Sequence, residues 1–196
     1  MTLPIVKTAI ESDEAGVIEA LKLAFVADPA TRWVWPDPQK YLSHFSDFVK
    51  AFGGKAFACE SAHYVGNYSG AALWLPPNVH PDVDVLVALL QSSGSDEAKK
   101  DGPEVFEKMS SYHPNEPHWY LPLLGVDPLH HGKGLGSALM QHAIVTCDQD
   151  NKCAYLESSS PKNIPFYERH GFELLGTIQV NTSPSIFPML RKPRKL

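Results

Sequence analysis

His118–Leu139, HWYLPLLGVDPLHHGKGLGSAL, constrains the fold more than any other stretch of this chain. An apolar run suited to a β-strand ends at Val126, and Asp127–Pro128 turns the chain. Glycines follow at 132, 134 and 136, and the sequence then passes directly into an amphipathic helical pattern. Alternate glycines at a strand-to-helix junction let the backbone approach a ligand closely. Successive N–H groups can then converge on one anion, and the helix N-terminus adds its partial positive charge. The junction predicts a seat for the pyrophosphate of a nucleotide-bearing cofactor.

Two common phosphate loops do not fit the spacing. A dinucleotide fingerprint, G-x-G-x-x-G, lacks its third glycine in both frames, where Leu139 and Ser137 stand. A P-loop requires glycine at Asp127 and Ser or Thr at Gly134. The pattern that remains is Q/R-x-x-G-x-G/A, with His131 in the first slot, then Gly134 and Gly136. In this the chain resembles the GNAT superfamily of N-acetyltransferases, which binds acetyl-coenzyme A through such a motif. A second block, YLESSSPKNIPFYERHGF at 155–172, is similar to the downstream signature F-Y-E-[KR]-x-G-F of that superfamily. Phe166, Tyr167, Glu168, Arg169, Gly171 and Phe172 match in order. Within the superfamily the detailed likeness is to puromycin N-acetyltransferase-like members. It is carried by HWYL at 118–121, GV at 125–126, HGKGLGSA at 131–138, the 156–172 block and ALWLPP at 72–77. It covers roughly the C-terminal half.

The resemblance implies a single α/β (α+β) domain over 1–196, with a mixed, mostly antiparallel central sheet flanked by helices and a splayed strand pair that holds the coenzyme. Coenzyme contacts are expected from Leu124, Gly125 and Val126 on the strand and from His131, Gly132, Lys133, Gly134, Leu135, Gly136 and Ser137 in the loop. In the first slot of the motif, where Gln or Arg is usual, His131 still offers a backbone N–H to the phosphate. Asn163 is a further coenzyme contact, although many relatives carry asparagine where Ser160 stands here. Tyr167 matches the tyrosine that protonates the departing thiolate; a phenol of pKa about 10 can do this within hydrogen-bond reach. The alternative is a core tyrosine beside Phe166 and Phe172. Glu157, at the end of a strand on the rim of the cleft, is the leading candidate for the base; the alternative is a loop carboxylate capping the next helix. Backbone N–H groups of Leu124–Val126 would steady the oxyanion. Pro122 cannot donate to a strand ladder, so it implies an edge, a bulge or a splayed strand.

Acceptor specificity is expected in the N-terminal half. In DPATRWVWPD (28–37), Trp33 and Trp35 stand with Asp28 and Arg32 in a segment that the superfamily places over the acceptor cleft. Aromatic walls with a few charges suit a small amine bearing a flat or apolar group. Both tryptophans can equally anchor the loop to the core. His118 and Tyr120, at the start of the central strand, complete the acceptor set. The 81–117 helical insert either narrows the cleft or mediates dimerisation. The expected reaction is direct transfer to a primary amine in a ternary complex. A protein or peptide amino group, a longer acyl donor and a non-catalytic acyl-coenzyme A sensor are the alternatives.

Composition agrees with a small enzyme: 43% of the 196 residues are hydrophobic and 20% charged. A net charge of −5 argues against general nucleic-acid binding, and the short basic tail Arg191–Lys195 reads as a solvated end. No apolar run approaches a membrane span, and MTLPIVKTAIESDE lacks the basic flank of a signal segment. Cys59, Cys147 and Cys153 lack C-x-x-C spacing, which predicts free thiols, no metal and a cytoplasmic location. A monomer or homodimer is expected.

Periodicity predicts strands at Pro4–Ile10, Ala56–Glu60, His63–Tyr68, Ala71–Leu75, Trp119–Val126 and Cys153–Glu157, with a final pair at Glu173–Asn181 and Ser185–Arg191. Helices are predicted at Glu14–Val26, Pro38–Phe52, Gly134–Asp148 and Ile164–His170. Two more fall within Pro81–Pro117, split near Ser92–Ser95, and Gly102–Pro103 starts a further piece.

Overall fold

The apolar run from Trp119 becomes the middle strand of the sheet. The computed structural model describes residues 4–194; the first three residues of the N-terminal segment and Lys195 of the basic tail lie outside the described residues. Strands β1 (Val6–Thr8), β2 (Ala62–Val65), β3 (Gly70–Leu75), β4 (Trp119–Val126), β5 (Ala154–Ser158), β6 (Glu173–Leu174) and β7 (Phe187–Arg191) form one seven-stranded sheet. Its order is β1-β2-β3-β4-β5-β7-β6, and only β4 and β5 pair in parallel. A parallel pair needs a long crossover, and here the crossover contains the helix that follows the glycine loop.

Both faces are covered. On one lie α1 (Glu14–Ala24) and α3 (Pro38–Gly53). There Leu21, Phe45 and Val49 pack with Leu73, Tyr120, Leu123 and Tyr155. Tyr41, Phe45 and Val49 recur at four-residue spacing in α3, so one stripe of that helix is buried. On the other face the crossover helix α7 (Leu135–Gln149) and the short α8 (Ile164–Arg169) cover Trp74, Leu121, Leu156 and Met189. Each such side chain stabilises the fold by about 1.5–3 kcal/mol through burial. Among the described residues no helix is long and apolar enough to cross a membrane.

Several sequence expectations need correction. Ala56–Glu60 is not a strand: Lys55–Ala58 forms α4, since Lys-Ala-Phe-Ala contains no β-branched residue and Ala56 is fully buried. The 28–37 segment contains the helix α2 (Pro29–Val34), because Asp28 accepts from Ala30 and Thr31 N–H and Pro29 opens the first turn. The 81–117 segment forms two helices split near Ser92–Ser95 as expected, α5 (Val83–Ser93) and α6 (Asp96–Tyr112). Gly102–Pro103 does not start a separate piece. Proline removes the N–H that would reach the Lys99 carbonyl, and Gln91 Nε2 donates to that oxygen instead, at 3.2 Å. The final strand pair is shorter than predicted, because β6 has two residues and beyond it only the isolated bridge Ile178–Ile186 continues.

Pro122 marks the break in β4. Between the pairs Leu75–Tyr120 and Leu73–Leu123, β3 contributes one residue and β4 two, Leu121 and Pro122, which makes a bulge. Side-chain alternation slips there: Tyr120 and Leu123 face the α1–α3 core, whereas Leu121 and Leu124 face α7. Pairing with β5 also stops, the last pair being Leu121–Leu156, although β4 runs on to Val126. From that point the two parallel strands diverge.

Candidate active site

The divergence of β4 and β5 opens a cavity of about 1170 Å³. It is lined from one sheet face by Phe48 and Phe52 of α3, Leu86, Leu89 and Leu90 of α5, and Val105, Phe106 and Met109 of α6. From the other face it is lined by Leu135–Ser137 of α7 and by Phe166 and Tyr167 of α8. Leu121–Val126 of β4 and Leu156–Ser158 of β5 stand between. The cavity therefore threads the sheet through the split, joining a glycine-rich mouth to an apolar chamber. Of the insert, α5 and α6 form walls of that chamber.

At the mouth, Gly132 and Gly134 have φ of +74° and +77°, a region that side chains other than glycine rarely enter. A Cβ at either position would meet nothing within 4 Å, so glycine serves backbone conformation while the space above it stays open. Helix α7 begins with no side-chain cap, which leaves its first-turn N–H groups at residues 135–137 facing a cavity they line. An open cradle of uncapped N–H groups fits a pyrophosphate. His131 is exposed, with Nε2 2.9 Å from the Val126 carbonyl oxygen, and its backbone N–H donates to the Pro128 carbonyl at 3.3 Å rather than remaining free for a phosphate. Ser137 Oγ lies 3.2 Å from His170 Nε2, which ties the start of α7 to the end of α8. Lys133 is exposed and does not line the cavity. Leu124, Gly125 and Val126 line it, with no strand partner on their β5 side. A Cβ on Gly125 would come within 2.5 Å of the Ala24 methyl, so α1 packs here only because the residue is glycine. Asn163, at the start of α8, also lines the cavity.

At the split, Tyr167 is 8% exposed and lies against Phe166 and Phe172. Burial first, and the Asp28 charge second, push its phenol well above the ordinary range, so it holds its proton at neutral pH. Asp28 lines the cavity, but both its oxygens are engaged: Oδ1 caps α2 and Oδ2 accepts from the Ser159 hydroxyl. Burial pushes this carboxyl up, and the three hydrogen bonds oppose the shift. Trp33 lines the cavity with a buried indole N–H that has no partner among the described residues. Trp35 also contributes to the wall, but it is an anchor, 2% exposed and donating to Ser93 Oγ at 2.9 Å. Arg32 does not line the cavity; its guanidinium donates to the Pro36 carbonyl and lies over the Tyr41 ring.

Glu157 lines the cavity, and its side chain is 3% exposed. Its Oε1 accepts no hydrogen bond among the described residues, although His113 Nε2 stands 3.2 Å away, off the line of a good bond. A buried carboxylate oxygen without a donor is costly unless a ligand satisfies it. The Tyr120 and Tyr155 phenols and His118 stand close enough to act on it, and none of the three lines the cavity. Tyr120 and His118 therefore stand behind Glu157 rather than in the acceptor wall. Sequence reasoning missed His113, Ser159 and the apolar residues of α5 and α6. His113 carried only a weak signal, its position five residues before His118, and the helical residues read as an ordinary buried stripe.

The arrangement has counterparts in known proteins. Residues 98–174 match the family described as Acetyltransferase (GNAT) domain. An uncharacterized N-acetyltransferase of Schizosaccharomyces pombe is 28% identical over 145 residues, which cover 66% of this chain and 58% of that protein. The chain thus spans less than two thirds of the length of this curated relative. Among solved structures, one from Corynebacterium glutamicum, described as histone acetyltransferase HPA2 and related acetyltransferase, has a TM-score of 0.70 and 25% identity over 98% of both chains. Arylalkylamine N-acetyltransferase 2 of Aedes aegypti has a TM-score of 0.68 and 14% identity over 98% of this chain and 100% of its own, a likeness of fold alone.

Proposed function

We propose that this chain, which carries a GNAT acetyltransferase domain, transfers an acetyl group from acetyl-coenzyme A to a primary amine of a small molecule, by direct attack in a ternary complex. The observation that carries the reading is the continuous cavity, which joins an uncapped, glycine-lined helix N-terminus to an apolar chamber containing a buried carboxylate.

The coenzyme supplies the acetyl group in activated form, as a thioester. The cradle from Gly132 to Ser137 would hold its pyrophosphate, with Asn163 beside it. The unpaired edge of β4 at Leu124–Val126 offers backbone groups to the pantetheine arm and donors to a developing oxyanion. Glu157 is buried and unsatisfied at the chamber wall, and takes the proton of the incoming amine. Tyr167 holds at its hydroxyl a proton that a departing thiolate can accept.

A chamber walled by Trp33, Phe106, Met109 and the leucines of α5 favours an amine on an apolar or flat body over an extended peptide. The likeness to puromycin N-acetyltransferase-like members points the same way, toward an aminonucleoside or another toxic amine. The test is thiol release from acetyl-coenzyme A against aminonucleosides, aryl and alkyl amines, polyamines and short peptides. Release with small apolar amines supports the reading. Release with peptides alone moves the acceptor to protein amino groups, and tight coenzyme binding without release by any amine favours a sensor.

A further inference from the structure

Two histidines next to Glu157 take no part in the reading above. His113 closes α6, and His118 precedes β4. Neither lines the cavity, whereas Glu157 does. His118 Nδ1 lies 2.8 Å from the Glu116 carbonyl oxygen, and His118 Nε2 lies 3.1 Å from His113 Nδ1. His113 Nε2 then stands 3.2 Å from Glu157 Oε1.

The hydrogen positions follow from the chemistry of these atoms. A carbonyl oxygen only accepts, so His118 carries a proton on Nδ1. Burial is the main influence disfavouring a second proton on His118, so its Nε2 is an acceptor. His113 must therefore donate from Nδ1, and when neutral its Nε2 carries a bare lone pair. That lone pair stands 3.2 Å from Glu157 Oε1, a carboxylate oxygen on which the Tyr120 and Tyr155 phenols also act. A lone pair and a carboxylate oxygen this close, with Glu157 buried and His113 partly so, repel each other until a single proton enters between them.

We propose that Glu157 and His113 form a proton-sharing dyad that serves as the base for the acceptor amine, with His113 the positioning residue and His118 fixing its tautomer. The inference rests on the acetyl-transfer reading. In the step, the amine nitrogen bonds to the acetyl carbon as its N–H bond breaks; the thioester C–S bond then breaks, and the departing thiolate takes the Tyr167 proton, which solvent replaces. The amine proton goes to Glu157, is shared with His113 Nε2, and returns to water when product leaves.

The groups facing His113 are His118 just before β4, Tyr120 from β4, Tyr155 and Glu157 from β5, and its neighbour Tyr112 on α6; His80 acts on His118. Burial pushes the Tyr120 and Tyr155 phenols far above neutrality, so neither competes for the proton.

The test compares wild type with His113→Gln, which keeps a hydrogen-bonding side chain but has no site for a shared proton. With the best amine of the panel, kcat is expected to fall roughly tenfold or more, a part of the roughly 10²–10⁴ that a general base contributes. KM for coenzyme should be unchanged, and the acid limb of the kcat–pH profile should be displaced. Imidazole ¹⁵N shifts of the ligand-free protein give an independent readout. They should report Nδ1–H tautomers for both histidines, with a His113 Nε2 resonance that moves in Glu157→Gln. Wild-type turnover with an unaltered profile in His113→Gln, or a His113 Nε2 resonance indifferent to Glu157→Gln, overturns the dyad alone. Absence of thiol release by the wild type overturns the acetyl-transfer reading and the dyad's role with it.

Discussion

Tyr167 keeps its proton because its phenol is buried at the split in the sheet, with the Asp28 carboxyl nearby as a lesser influence. Replacing it by Phe removes the hydroxyl and leaves the ring packed on Phe166 and Phe172. Turnover should fall by about 10²-fold or more, while coenzyme affinity measured by calorimetry stays the same. An equal loss in both would make Tyr167 a binding residue instead. The glycines ahead of and within α7 separate in the same way. Gly134 adopts φ +77°, so Gly134→Ala forces a left-handed alanine at a cost of about 1–2 kcal/mol and should weaken coenzyme binding roughly tenfold. Gly136 is helical, and its added Cβ would stand 3.6 Å from Phe166, an ordinary contact. Gly136→Ala should bind the coenzyme as the wild type does. Isothermal titration of the pair distinguishes backbone conformation from mere smallness as the reason for glycine.

At the level of elements, two prolines interrupt regular structure with different consequences. Pro103 lies inside α6, where the lost hydrogen bond is replaced by Gln91. Pro103→Ala should restore that bond and raise stability by about 1–3 kcal/mol, visible as a higher urea midpoint at unchanged slope. A lower midpoint would mean that the ring itself is needed against the neighbouring helix. Pro122 announced a disturbed ladder, but the residue alone left edge, bulge and splay open. It occupies a bulge on its β3 side at the point where β5 departs, so two of the three readings hold together. Ala56–Glu60 went the other way: a short apolar run has no period long enough to tell strand from helix, and here it closes as a helical turn.

Across the molecule, the last strand is locked to the crossover helix by one buried ion pair. Arg191, 2% exposed, makes two hydrogen bonds to Asp148 at 2.7 and 2.8 Å and donates to the His170 carbonyl. Asp148→Asn leaves a buried guanidinium without its counter-charge and should cost about 3–5 kcal/mol by chemical denaturation at neutral pH. The hydrogen bonds from Arg191 are the first cause holding the Asp148 carboxyl below its ordinary 3.8. Because the native value is depressed, the pair's contribution is fully present above 3.8 and is lost as pH falls through the lower native value. The wild type should therefore lose stability in that acid range more steeply than Asp148→Asn. Parallel acid limbs would mean that Asp148 does not carry the effect.

Contiguous residues were enough to specify the glycine junction, the helix it opens, the F-Y-E block and the alternation of strands with helices. Each depends on backbone conformation or periodicity within a few residues, and the amino-acid types state those directly. Tertiary structure alone decided how far β4 and β5 stay paired, which side chains close the apolar chamber, and that the end of α6 brings His113 to Glu157. It also turned Arg32 and Tyr120 away from the cavity that their positions in the chain suggested. These depend on where elements far apart in sequence come to rest, and packing around a divided sheet, not local pattern, sets that.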